Sequence, residues 1–383
     1  MGQLTEVLGE VPLARAHQQR RFYQPELDGL RFYAFLGVFV FHSLPSEREF
    51  YRGLHLPLPS LWRAVVKSGA SGVDLFFALS AFLITSLLLK ERQETGEVSL
   101  RRFYIRRILR IWPLYFLMVA LGIVLSHTMA NQNLPWYYVA GYLLFAGNWV
   151  HAVFGAPHSV CAPLWTISIE EQFYLIWPVL MKVLKRRGMI LAAMVTVLLA
   201  TLSRVGWVLA GASGGYIYYG STSRCDSLAL GILLALFADR LPKLTKGMRL
   251  LLLGGGLMGW IASSAWLVEQ PGPVSMRMAV GRLIVSLASG AILYGCLHSR
   301  SKLVRGNWVV RLGKISYGLY LLHPTGILIM LSLFHPIWGF KLLATKGLGL
   351  VMTVTLAFAS YRWVESPFLR LKDRFATVLS RPV

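Results

Sequence analysis

The chain has 383 residues, 55 % of them hydrophobic, a mean hydropathy of +0.55, and 39 Lys and Arg against 17 Asp and Glu, for a net charge of +22. Apolar runs near 20 residues recur along it, which excludes a soluble globular domain and identifies a polytopic membrane protein. The basic residues flank those runs instead of forming one patch, so they are read as orienting the spans and contacting membrane lipid phosphate, with nucleic acid excluded as a partner.

Ten spans are expected, roughly at 32–44, 71–89, 108–126, 164–181, 188–210, 226–238, 249–268, 278–297, 315–334 and 347–365. The run WYYVAGYLLFAGNWV at 136–150 is short and broken by Gly141, Gly147 and Asn148, so it reads as a re-entrant segment or an eleventh span. With a cytoplasmic N-terminus and ten crossings, 29 of the 39 basic residues fall in inner segments and 8 in outer ones, leaving Arg204 and Arg282 within spans. An eleventh crossing would put Lys182, Lys185, Arg186 and Arg187 outside, against the positive-inside rule. The expected fold is therefore an all-α, polytopic membrane helix bundle in the cell (inner) membrane with both termini cytoplasmic. It divides into a cytoplasmic segment 1–24, a membrane domain 25–370 and a tail 371–383. The first 20 residues hold no apolar core followed by a small-residue cleavage site, so no removable leader is expected and the first span serves as insertion signal. Cys161, Cys225 and Cys296 lack metal-ligand spacing; they read as small buried hydrophobes, with a Cys161–Cys225 disulfide as the alternative.

In the first span, LDGLRFYAFLGVFVFH, Arg31 and His42 are eleven residues apart, which brings them to within ~20° on one helix face, ~16 Å apart along the axis. A lone histidine at a span end is more often an interfacial filler; sharing a span with Asp28 and Arg31 makes His42 a candidate base. In GVDLFFALSAFLIT, Asp74 falls near the outer end of the second span, either capping the helix start or facing a site, and Ser80 suits close helix packing. In LRRFYIRRILRIWPLYF, Arg102, Arg106 and Arg110 form an i, i+4, i+8 stripe with Arg107 beside it. Guanidinium forks in that pattern can hold a polyphosphate, or can simply anchor the span. PLWTISIEEQFYLIWPVL sets Glu170 and Glu171 inside an apolar helix at about 2.5 to 3.5 kcal/mol each, so each needs a partner or a task. Their side chains diverge by ~100°, one toward the bundle centre and the other toward the rim or a cation such as Arg224. STSRCDSLALG adds Arg224 and Asp226, and GKISYGLYLLHP puts His323 inside the span 315–334. His42, Asp74, Glu170, Arg224 and Asp226 are expected at similar depth on the outer side, which is the residue-level argument for a site.

These motifs, in order and with YRWVESPF near the end, make the chain resemble the acyltransferase 3 family of membrane acyltransferases over about residues 25–370. The resemblance implies transfer of an acyl group, commonly acetyl, from cytoplasmic acyl-CoA to a hydroxyl of a carbohydrate-containing acceptor. By that likeness His42 matches the family's essential first-span histidine, and Arg106, Arg107 and Arg110 match the arginine motif assigned to the donor. On the residue reading, His42 acts as general base oriented by Glu170 or Asp74, Arg31 and Arg102 join the donor site, and Arg224, Asp226, His323 and Glu171 are acceptor contacts. No metal is expected, and oligomeric state, a homo-oligomer included, is left open. Ala81 stands where the family usually has Gly, a difference of one methyl. Many relatives carry a C-terminal hydrolase-like domain that this sequence does not show, so the chemistry is expected to finish inside the membrane domain. The rival reading is a proton-coupled transporter or flippase, against which no inverted repeat is visible.

Overall fold

The computed structural model describes residues 23–267, 275–335, 339–376 and 378. The expected segment 1–24 lies almost wholly outside these, as does most of the tail beyond Asp373. All regular structure among the described residues is helical. The main helices are α1 (Pro25–Ser43), α2 (Pro59–Thr95), α3 (Leu100–Thr128), α4 (Trp136–Leu143), α5 (Gly147–Phe154), α6 (Trp165–Val183) and α7 (Arg186–Leu209). They continue with α8 (Ser221–Phe237), α9 (Lys246–Ala262), α10 (Met276–Cys296), α11 (Ser316–Phe334), α12 (Gly339–Ser360) and α13 (Ser366–Asp373).

Among the described residues, seven helices are long and apolar enough to cross a membrane: α2, α3, α7, α9, α10, α11 and the rod Gly339–Asp373 that contains α12 and α13. Three further expected spans coincide with α1, α6 and α8, where α1 and α6 each carry three charged residues and α8 is 17 residues long. Each expected span thus has a helix, while length and composition alone qualify seven.

Pro25 opens α1 and Pro59 opens α2, in the first turn where a missing N–H has no intrahelical partner to lose. Gly96, at φ +83°, closes α2 in the left-handed conformation, its N–H bonding Arg92 O at 3.0 Å. Small residues bring α1 and α2 together. A Cβ on Gly69 would lie 2.1 Å from Gly37 O, and one on Gly72 2.4 Å from Ala34 O, the close-approach packing that membrane helices favour. Within α2 a 3₁₀ turn at Gly69–Ser71 joins Pro59–Ser68 to Gly72–Thr95, and Asp74 lies in the first turn of that second stretch, near the start of the expected span, where no side chain caps the helix.

The broken segment 136–150 becomes a helical hairpin. Each of α4 and α5 is 8 residues, about 12 Å at 1.5 Å per residue, too short to cross ~30 Å of hydrocarbon. The turn between them places Phe145 at φ +52°, and its ring packs on Trp112, Tyr115 and Phe116 of α3 at 5.7, 4.9 and 5.9 Å. Asn133 N–H bonds His158 O at 2.7 Å and Tyr138 Oη donates to Gly155 O at 2.8 Å, so both ends of the hairpin leave by the same side. The segment thus turns back on itself instead of crossing as an eleventh span. All three cysteines are free thiols.

Candidate active site

A cavity of about 150 Å³ lies between α1, α2, α3, α6 and α11. Arg31, Arg106, Arg107 and Arg110 line its arginine-rich end with Glu91 and Lys372, and Val73, Thr166 and Tyr320 line it elsewhere. Arg102, one turn earlier on α3, is exposed and does not line the cavity, so the expected stripe divides. Arg106 is engaged within the protein: its Nη2 bonds Glu91 Oε2 at 2.9 Å and its Nη1 donates to Phe375 O at 2.9 Å. Among the described residues no carboxylate lies within 4.0 Å of Arg31, Arg107 or Arg110. Arg107 instead rests on the rings of Phe103 and Tyr174 at 5.4 and 5.6 Å. Three guanidinium groups therefore face a shared space without ionic partners, a setting that favours a polyanion.

Two imidazoles lie beyond Tyr320, outside the cavity lining. Tyr320 lines the cavity, and its carbonyl accepts from His323 Nδ1 at 2.6 Å. His323 Nε2 lies 3.1 Å from His42 Nδ1, which is also 3.1 Å from Val38 O. His323 is fully buried, edge-on to Phe35 and Phe39 at 6.3 and 6.4 Å, whereas His42 is exposed. His42 Nε2 makes no hydrogen bond among the described residues.

Neither expected carboxylate touches His42. Glu170 accepts from Ser80 Oγ at 2.9 Å and Tyr174 Oη at 2.7 Å on the cavity wall. Glu171 points elsewhere and accepts from Trp112 Nε1 at 3.4 Å instead of meeting Arg224. Asp74 accepts from Ser227 Oγ at 3.0 Å and pairs with Arg224 at 3.2 Å and Arg282 at 3.9 Å, while Asp226 pairs with Arg204 at 2.6 Å. Arg224 further lies over Trp165 and Tyr218 at 5.5 and 5.6 Å, and Arg282 over Tyr218 at 4.5 Å. The five residues expected at one depth thus form separate groups. Gly72 abuts Ala34, and His42 lies eight residues beyond Ala34 along α1, about 12 Å, so Asp74 is well below His42. A paired carboxylate satisfied by two arginines is not available to steer a distant imidazole.

Sequence reasoning missed two sets of residues. Arg204 and Arg282 complete the buried ion pairs; they were the two basic residues left inside spans, the signal that a buried acid must answer each. The second set, Asn148, His151, Gln172 and Ser221, ties the hairpin to the bundle. Gln172 Nε2 donates to Asn148 Oδ1 at 3.0 Å and to Phe145 O at 2.8 Å, Asn148 Nδ2 to Ser221 Oγ at 2.9 Å, and Tyr142 Oη meets His151 Nε2 at 2.7 Å. Polar residues inside apolar runs were the available signal. Among the described residues no group of three or more His, Cys, Asp or Glu side chains could hold a metal ion.

Residues 24–362 match the family model described as an acyltransferase domain. The chain is 28 % identical over 389 residues to peptidoglycan O-acetyltransferase OatA of Listeria monocytogenes, covering 93 % of this chain and 57 % of that protein. It is 30 % identical over 388 residues to YrhL of Bacillus subtilis, a provisionally named peptidoglycan O-acetyltransferase, covering 91 % and 55 %. A provisionally named O-acetyltransferase of Staphylococcus aureus is 26 % identical over 370 residues, with 90 % and 57 % covered. The chain therefore spans little more than half the length of these relatives. No solved structure matches it.

Proposed function

We propose that this chain, which belongs to the acyltransferase domain family, is a membrane O-acetyltransferase that moves an acetyl group from acetyl-coenzyme A to a hydroxyl of peptidoglycan or a similar surface carbohydrate. The observation that supports this reading is a cavity lined by Arg31, Arg107 and Arg110, without ionic partners, at one end and by Tyr320 at the other, where the Tyr320 carbonyl meets His323 and His323 meets His42. The arginine-rich end faces the cytoplasm of a cell (inner) membrane, with both termini there, since 29 of 39 basic residues then lie inside. Arg31, Arg107 and Arg110 hold the donor's phosphates, and its narrow thioester arm passes Glu170 and Ser80 toward Tyr320. The acceptor approaches His42 from the opposite end.

In the transfer, the acceptor oxygen attacks the thioester carbonyl carbon while His42 Nε2 takes the hydroxyl proton. The C–S bond breaks as the new C–O ester forms, and the leaving thiolate takes the proton back from His42, so no net proton is gained or lost. General-base assistance of this kind contributes about 10² to 10⁴ in rate.

The direct test uses purified protein in proteoliposomes, acetyl-coenzyme A labelled in the acetyl group, and isolated peptidoglycan. Label in an alkali-labile ester on the glycan is the expected result; label that never leaves the donor overturns the reading and favours a transporter. Two further results are expected. Arg107→Ala and Arg110→Ala each raise the dissociation constant for coenzyme A about 10- to 100-fold, since a charge-assisted contact contributes about 1.5 to 3 kcal/mol. Arg106→Ala acts mainly on thermal stability because Glu91 and Phe375 O already occupy it; calorimetric titration with coenzyme A and a melting curve separate the two effects. For the topology, Asn131→Cys is expected to label with an impermeant maleimide only from outside sealed cells, and labelling only from the cytoplasmic side of inverted vesicles would reverse the orientation.

A further inference from the structure

We propose that His323 is a positioning residue that fixes the tautomer of His42 and shares the proton it collects, an assignment that rests on His42 being the base. The argument starts from two backbone carbonyls, which can only accept. Tyr320 O, 2.6 Å from His323 Nδ1, requires the proton of neutral His323 on Nδ1. Its Nε2 is then a lone pair. That lone pair lies 3.1 Å from His42 Nδ1, and Val38 O, the other neighbour of the same nitrogen, is again an acceptor at 3.1 Å. Two acceptors on one nitrogen place the proton of His42 on Nδ1. Nε2 of His42, which makes no hydrogen bond among the described residues, is left as the lone pair that can take a proton.

A carboxylate commonly sets the tautomer of a catalytic histidine, and among the described residues none hydrogen-bonds to either ring. Tyr320 O, His323 and Val38 O do the same work with neutral groups. Rigidity comes from burial: His323 is fully enclosed, with Phe35, Phe39 and Tyr320 around its ring. When His42 becomes an imidazolium, its Nδ1–H already points at a lone pair, so the positive charge can be shared across the 3.1 Å contact. Handing the proton back to the leaving thiolate returns both rings to their starting tautomers.

The test measures thiol release from acetyl-coenzyme A with isolated peptidoglycan present, using the full chain in proteoliposomes. His323→Phe fills the buried space but accepts nothing; it is expected to lower kcat about 10²-fold, the lower end of general-base contributions, with coenzyme A affinity unchanged. His323→Gln, whose amide oxygen can accept from His42 Nδ1, is expected to recover kcat to within about tenfold of wild type. In a His42→Ala background, His323→Phe is expected to add no further loss, because its effect runs through His42. A fully active His323→Phe, or an equal loss in both backgrounds, overturns the positioning role while leaving His42 as base. A fully active His42→Ala overturns the base itself.

Discussion

Replacing His42 with alanine lowers turnover by about 10²- to 10⁴-fold, roughly 2.7 to 5.4 kcal/mol of activation free energy, while coenzyme A binding stays within about twofold of wild type. The ring is exposed and its hydrogen bonds go only to His323 and Val38 O, so its removal leaves no buried charge and a small packing change. The loss should therefore appear in kcat. Single-turnover transfer from labelled acetyl-coenzyme A, with coenzyme A titration and a melting curve on the same preparation, separates chemistry from binding and folding. Wild-type turnover in this variant would assign the base elsewhere, with His323 the nearest imidazole.

Asp74 carries the other large effect, and it falls on folding. Its side chain is 1 % exposed, as is that of Arg224, and Arg282 is 4 % exposed, so solvent can screen none of them. Asp74→Ala strands two guanidinium groups in the bundle interior, a cost of about 3 to 5 kcal/mol. A sharp fall in melting temperature and detergent-solubilised yield is expected. The double variant Asp74→Leu/Arg224→Met, which removes the carboxylate and its nearer partner and leaves only Arg282 stranded, should recover part of the loss. If it melts as low as the single variant, the pairing is not what stabilises this region.

The helices were legible because an apolar run near 20 residues has few other fates, and the hairpin because Gly141, Gly147 and Asn148 interrupt one. The cavity arginines were legible in part. Arg106, Arg107 and Arg110 share a face reachable from one helix's periodicity, whereas Arg102 lies one turn nearer the helix start and swings out to the surface. What one helix cannot encode is which partner a polar side chain meets. His42 and His323 are 281 positions apart and Asp74 and Ser227 are 153 apart, so their meeting depends on how distant helices are arranged. The expectation of an orienting carboxylate failed for that reason: Glu170 and Asp74 had nearer answers in Ser80, Tyr174 and the arginines of α8 and α10.

The buried ion pairs also impose an order on biogenesis. Arg204 and Asp226 sit on α7 and α8, so those two spans can leave the translocon together as a self-neutralised unit. Asp74 has no such neighbour: Arg224 emerges 150 residues later, about 8 to 30 s at ~5 to 20 residues per second. Until then α2 carries a charge that costs about 2.5 to 3.5 kcal/mol in lipid, so early α2 must stay beside the insertion machinery, wait with its aspartate protonated, or be held by a chaperone.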